Sequence, residues 1–146
     1  MDALVLPAVS LDHVGIAAPD PDSPLAAMLA GAGSPEVSAG LAVEGRAMPS
    51  GVSVARFGPG RRLELVWPGR PGTPIDTFLT RRGAGLHHIA LRVDEPLIEL
   101  RSRLLTAGVE VIGEVEVSSD GRPSLFLHPR CTGGVLVELV EGHGLD

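Results

Sequence analysis

The feature that most constrains the fold is a strand-like segment that occurs twice, each time with a histidine. Residues 11–20 read LDHVGIAAPD and residues 85–94 read GLHHIALRVD, so that His88 lies 75 positions after His13. In both segments apolar residues occupy alternate positions, a period of two that predicts a β-strand with the histidine on the face opposite the apolar set. The chain is therefore expected to contain two similar halves.

A second pair of segments repeats at nearly the same spacing. RLELV at residues 62–66 resembles LVELV at residues 136–140, which places Glu138 74 positions after Glu64. Two neutral imidazoles and two carboxylates form a neutral complex with a divalent ion, and mixed nitrogen and oxygen ligands suit transition metals better than calcium. A lone histidine on a strand is more often structural, so the doubled pattern is what favours a metal site.

Turn and helix signals give both halves the order strand, helix, strand, strand, strand. We predict an α+β fold in which two tandem βαβββ modules form a curved mixed sheet around a metal-binding cleft. A single domain spanning residues 1–146 is expected, with module one at 10–67, a Pro- and Gly-rich linker at 68–85 and module two at 86–141. Helices are expected after Ser23, over Pro74–Arg82 and after Pro96, the last with an apolar stripe of Leu97, Leu100, Leu104 and Leu105.

Composition excludes several classes of protein. The net charge is −6, so there is no overall basic field for nucleic acid, and no stretch approaches the ~20 apolar residues of a membrane span. The single cysteine, Cys131, cannot form an intrachain disulfide, and the first ten residues lack a signal-peptide pattern. We expect a cytoplasmic protein that binds neither nucleic acid nor membranes.

The motifs that carry these histidines and glutamates resemble the vicinal oxygen chelate superfamily, which includes glyoxalase I, extradiol dioxygenases and bleomycin-type resistance proteins. Within it the sequence is most similar to the methylmalonyl-CoA epimerases. The likeness covers nearly the whole chain. The matching segments are LDHVGIA at 11–17, LELVWP at 63–68, GTPIDTFL at 72–79, GAGLHHIA at 83–90, FLHPR at 126–130 and GGVLVEL at 133–139.

This resemblance implies a divalent metal ion, which would be cobalt, manganese, nickel or zinc, bound by His13, Glu64, His88 and Glu138. It implies an epimerase that interconverts (R)- and (S)-methylmalonyl-CoA, or a related 2-substituted malonyl-CoA, by alpha-proton removal through a metal-stabilised enolate. Glu138 would serve as a catalytic base as well as a ligand. It also implies a homodimer.

Two parts of the implied site are less directly matched. Some bacterial members carry an additional carboxylate, a proposed base, in the strand that matches residues 51–56, and this chain has none there. Glu44 on the neighbouring predicted strand is the substitute we consider. An acyl-CoA substrate also needs cations for its phosphates, and we expect Arg130, Arg81 and Arg82 to bind substrate, with Arg70 and Arg122 also available.

Two other functions fit the same fold. One is a lyase or isomerase of the glyoxalase type, which would act on a thiol hemiacetal. The other is a non-catalytic binding or resistance protein, although such proteins often lose metal ligands and this chain keeps all four. Three further residues are interpreted as lying outside the site: His87 is on the apolar face of its strand, His128 has no counterpart in the first half, and Cys131 has no histidine or acid at a diagnostic spacing.

Overall fold

A computed structural model describes residues 9–22, 24, 46–47, 52–57, 62–118 and 121–142 of the chain. The chain divides into two compact units, one formed by residues 13–87 and the other by residues 88–142 together with the start of the first strand up to Asp12. Within these described ranges, no helix has the length and apolar character that crossing a bilayer requires.

Within the residues that the structure describes, the first half of the chain contributes four strands and a helix. Strand β1 is Val9–Ala17, β2 is Arg46–Ala47, β3 is Val52–Phe57 and β4 is Leu63–Pro68, and they are followed by helix α1 at Pro74–Arg82. β1 pairs in parallel with β4, whereas β3 is antiparallel to both β4 and β2. The helix predicted after Ser23 lies outside the described residues except for Pro24.

The second half repeats this pairing of strands. Strand β5 is Gly85–Val93, helix α2 is Leu97–Thr106, and strands β6, β7 and β8 are Val111–Val117, Pro123–Leu127 and Val137–Glu141. β5 pairs in parallel with β8, and β7 is antiparallel to both β8 and β6. In each half the first strand therefore lies beside the last, and the predicted α+β class with a mixed sheet is confirmed.

One hydrophobic core lies between α2 and the strands β5, β7 and β8. Leu97, Leu100 and Leu104 are fully buried and pack with Val93 and Leu139. Burial of each leucine contributes about 1.5–3 kcal/mol. The prediction was wrong for Leu105, whose side chain is exposed. It lies about 100° around the helix from Leu104, which turns it away from the stripe.

Both helices begin at identifiable caps. The hydroxyl of Thr73 accepts a hydrogen bond from the Asp76 backbone N–H at 3.3 Å, as the Thr-Pro signal predicts. Pro96 precedes α2 and has no side-chain acceptor to offer. The Glu141 carboxylate, at the end of β8, instead accepts a hydrogen bond from the Leu97 N–H at 3.2 Å.

Candidate metal centre

The first His–Glu pair follows from the parallel register of β1 and β4. Gly15 is the register partner of Glu64, so the glutamate lies beside the residue two positions after His13 and on the same face of the sheet. The His13 Nε2 atom lies 3.3 Å from Glu64 Oε2. Both residues are buried, His13 completely.

The second pair has the same construction. Ala90 on β5 is the register partner of Glu138 on β8, again two positions after the histidine. The His88 Nε2 atom lies 3.2 Å from Glu138 Oε2, and both side chains are buried. Phe126, opposite Glu138 on β7, turns its ring edge-to-face with the His88 imidazole at a centroid separation of 5.7 Å. The near-constant sequence spacing therefore reflects an identical strand register.

Burial makes the two carboxylates chemically significant. Glu64 and Glu138 each keep only 5% of their surface exposed. Ionised carboxylates are rarely this buried unless a hydrogen bond, a cation or a metal compensates the lost hydration. Each glutamate contacts an imidazole, and a neutral ring can donate one hydrogen bond to the carboxylate. The other carboxylate oxygens remain suited to binding a cation.

The donor atoms fit the dimensions of a divalent metal site. Nitrogen and oxygen ligands bind such ions at about 2.1 Å, so neighbouring ligands of one ion lie about 3.0–3.4 Å apart and opposite ligands about 4.2 Å apart. The two His–Glu distances of 3.3 and 3.2 Å fall in the range for neighbours. The ligand atoms of His13, Glu64 and His88 all lie within 4.8 Å of one another, a grouping that could bind a metal ion.

The predicted substrate-binding arginines are on the surface. Arg81 and Arg82 lie exposed in the last turn of α1, with the Arg82 guanidinium 6.0 Å from the Phe78 ring centroid. Arg130 is also exposed, and its Nε lies 3.5 Å from Glu110. Arg122, considered available from the sequence, instead forms a two-bond contact with Asp12. Glu44 lies outside the described residues.

His87, His128 and Cys131 have local contacts of their own. His87 packs edge-to-face against Phe78 with ring centroids 4.9 Å apart. The His128 Nδ1 accepts a hydrogen bond from the Arg130 N–H and caps the 3-10 turn Pro129–Cys131. The Cys131 sulfur accepts a hydrogen bond from the Glu110 N–H at 3.2 Å.

Sequence reasoning missed one charged residue next to the metal centre. Asp12 directly precedes His13, is buried, and contacts both Arg92 and Arg122. The available signal was an acidic residue inside a strand-like segment. Its two partners are 80 and 110 positions away, so no local pattern links them to it.

Known proteins of similar sequence and structure include several named epimerases. A family profile described as the glyoxalase/bleomycin resistance protein/dioxygenase superfamily matches residues 12–126. Human mitochondrial methylmalonyl-CoA epimerase is 35% identical over 137 residues, which cover 90% of this chain and 73% of that protein. The ethylmalonyl-CoA/methylmalonyl-CoA epimerase of Cereibacter sphaeroides is 41% identical over 86 residues, which are 57% of this chain. The match spans 63% of that protein, which is less than two thirds of its length.

A solved structure extends the likeness to the fold. A methylmalonyl-CoA epimerase in complex with methylmalonyl-CoA and NH4+ superposes with a TM-score of 0.75 at 28% identity, covering 93% of this chain and 96% of that one. The chain thus belongs to the glyoxalase/bleomycin resistance protein/dioxygenase superfamily, and its named relatives described here are methylmalonyl-CoA epimerases.

Proposed function

We propose that the protein is a metal-dependent epimerase that interconverts (R)- and (S)-methylmalonyl-CoA or a closely related 2-substituted malonyl-CoA. The observation that carries this proposal is the pair of buried His–Glu contacts at 3.3 and 3.2 Å in equivalent registers. The named activities of the relatives support the substrate class.

The four side chains of these contacts are the proposed metal ligands. His13 and His88 offer imidazole nitrogens, and Glu64 and Glu138 offer carboxylate oxygens, a set that suits cobalt, manganese, nickel or zinc. The grouping of three of these ligand atoms within 4.8 Å supports a shared ion. A bound divalent ion would act as a Lewis acid on the thioester carbonyl of the substrate.

Proton transfer is the task of the protein's own carboxylates in this proposal. Glu138 accepts the proton from the carbon between the thioester and the substrate carboxylate, and becomes a carboxylic acid. A second acid on the opposite side then donates its proton to that carbon, and we propose Glu44 for this role. The number of protons is conserved, the configuration inverts, and no redox step is involved.

The proposed reaction is tested by proton NMR of methylmalonyl-CoA in deuterated water. We expect the protein loaded with cobalt to remove the alpha-proton signal by exchange, and a chelator to stop that loss. His88→Ala should abolish the exchange, whereas His128→Ala should retain it, because His128 caps a turn outside the proposed ligand set. Absence of exchange in a protein that binds cobalt would refute the epimerase function.

Such a result would leave two alternatives. A glyoxalase-type lyase or isomerase predicts turnover of a thiol hemiacetal by the same cobalt-loaded protein. A non-catalytic binding protein predicts tight binding of a small molecule without turnover. The superfamily that the profile describes includes both activities, so the same sample should be assayed for each.

We propose that the exposed arginines Arg81, Arg82 and Arg130 bind the phosphates of the CoA carrier. Their guanidinium groups are on the surface, where bidentate contacts with phosphate can form. The double variant R81A/R82A should raise KM for the CoA thioester and leave KM unchanged for an N-acetylcysteamine thioester, which has no phosphate. Arg103→Ala, in the last turn of the other helix, is the control.

We also propose that the protein forms a homodimer. Several large apolar side chains are exposed in the single chain, including Leu86, Ile98 and Val117. Light scattering coupled to size-exclusion chromatography should give twice the chain mass of 15.1 kDa. A monomer mass at micromolar concentration would exclude this assembly.

A further inference from the structure

A partly buried ion cluster lies directly before the first proposed metal ligand. It consists of Asp12 on β1, Arg92 on β5 and Arg122 just before β7, and we call it the Asp12 cluster. The Arg122 guanidinium donates two parallel hydrogen bonds to the carboxylate, at 2.7 Å to Oδ1 and 2.9 Å to Oδ2. Arg92 Nε donates a third, to Oδ1 at 3.2 Å. Only 3% of the Asp12 side chain is exposed.

The contact geometry fixes the Asp12 carboxylate in both position and orientation. A two-bond guanidinium–carboxylate contact defines a common plane, and the third bond from Arg92 approaches one of the same oxygens. Removing one partner of a buried ion pair leaves the remaining charge poorly compensated. The cluster is therefore a stiff attachment of this end of β1 to the unit that contains residues 88–142.

The fixed position of Asp12 restricts His13 because the two residues are adjacent in the chain. Consecutive Cα atoms lie about 3.8 Å apart across a trans peptide, so a fixed Asp12 leaves the His13 backbone little freedom. We propose that the Asp12 cluster positions His13 for metal binding, an inference that rests on the metal site proposed above.

Gly142 provides a second way to perturb this cluster. A Cβ atom at Gly142 would lie 2.3 Å from both Cγ and Cδ of Arg92, a separation that requires the arginine stem to move. The change Gly142→Ala therefore displaces Arg92 without altering any charge. Asp12→Asn acts on the same contacts by removing the carboxylate charge while keeping the side chain nearly the same size.

The experiment is a cobalt titration of the metal-free protein, followed by its visible absorption and by calorimetry. Side chains that orient metal ligands typically change metal affinity by about 10–100-fold, and we expect D12N and G142A each to raise the cobalt Kd by a factor in this range. Glu114→Gln is the matched control, because it removes the carboxylate of an exposed ion pair with Arg101 and should leave the Kd unchanged.

The outcomes distinguish a cluster that positions His13 from a cluster that only stabilises the fold. A lower melting temperature with an unchanged cobalt Kd in both folded variants would overturn the inference. If D12N does not fold, the charge-neutral G142A decides alone. Wild-type protein that binds cobalt but exchanges no alpha proton refutes only the epimerase function, and the comparison of Kd values remains valid. Wild-type protein that binds no cobalt overturns the proposed metal site, and this inference with it.

Discussion

Replacing either glutamate of the candidate metal centre by glutamine should affect metal binding similarly but catalysis differently. Glu64 and Glu138 are equally buried, at 5% exposure, and each lies 3.2–3.3 Å from an imidazole nitrogen. Replacement by glutamine keeps the side-chain volume and one oxygen that can bind a metal, but it removes the negative charge. Because the surroundings match, we expect E64Q and E138Q to weaken cobalt binding by similar factors.

At saturating cobalt, E64Q and E138Q should differ in their rates of alpha-proton exchange. Glu138 is the proposed base, and loss of a positioned general base typically slows a reaction by about 10²–10⁴-fold, or about 2.7–5.4 kcal/mol of barrier. Glu64 is proposed only as a ligand, so E64Q should stay within about tenfold of wild type, or about 1.4 kcal/mol.

The assay is alpha-proton exchange in deuterated water, measured at several cobalt concentrations up to saturation. Extrapolation to full metal occupancy separates the effect on binding from the effect on proton transfer. If E64Q and E138Q lose exchange equally at full occupancy, the assignment of Glu138 as base is wrong. If E138Q exchanges at the wild-type rate, the proton must be carried by another group.

Three further predictions concern stability. Leu100→Ala should lower the free energy of unfolding by about 2–5 kcal/mol in urea titrations, whereas Ile98→Ala, at a position 75% exposed on the same helix, should change it by less than about 0.5 kcal/mol. Thr73→Ala removes the α1 cap and should cost about 0.5–2 kcal/mol, more than Thr80→Ala, whose exposed hydroxyl donates to a carbonyl of the preceding turn. Cobalt at 100 times its Kd should stabilise the fold by about 2.7 kcal/mol, seen as a higher melting temperature that a chelator reverses, and an unchanged melting temperature would contradict binding to the folded state.

Much of the fold was predictable because its signals are local. Alternating apolar residues located β1, β4, β5 and β8, and the helix predicted over Pro74–Arg82, from the Thr73-Pro74 start to Gly83, has the bounds of α1. The near-constant spacing of the histidines and glutamates followed from a strand register that both halves share. Each of these features depends on residues close together in the chain or on a repeat within it.

The remaining features depend on contacts between distant residues. Glu141 caps α2 from 44 positions away, so the helix start at Pro96 showed no cap of its own in the sequence. Arg122 was considered available for substrate because its partner, Asp12, is 110 positions away. The exposure of Leu105 was missed because the sequence shows that it is apolar but not where the packed face of the helix ends.

His13, Glu64, His88 and Glu138 are proposed to bind one divalent ion. Anomalous diffraction from a crystal of the cobalt-loaded protein tests it directly, because the signal locates cobalt independently of the protein atoms. We predict one strong peak per chain, about 2.1 Å from a nitrogen of each histidine and an oxygen of each glutamate. A peak elsewhere, or none at these side chains in a crystal containing cobalt, would contradict the account.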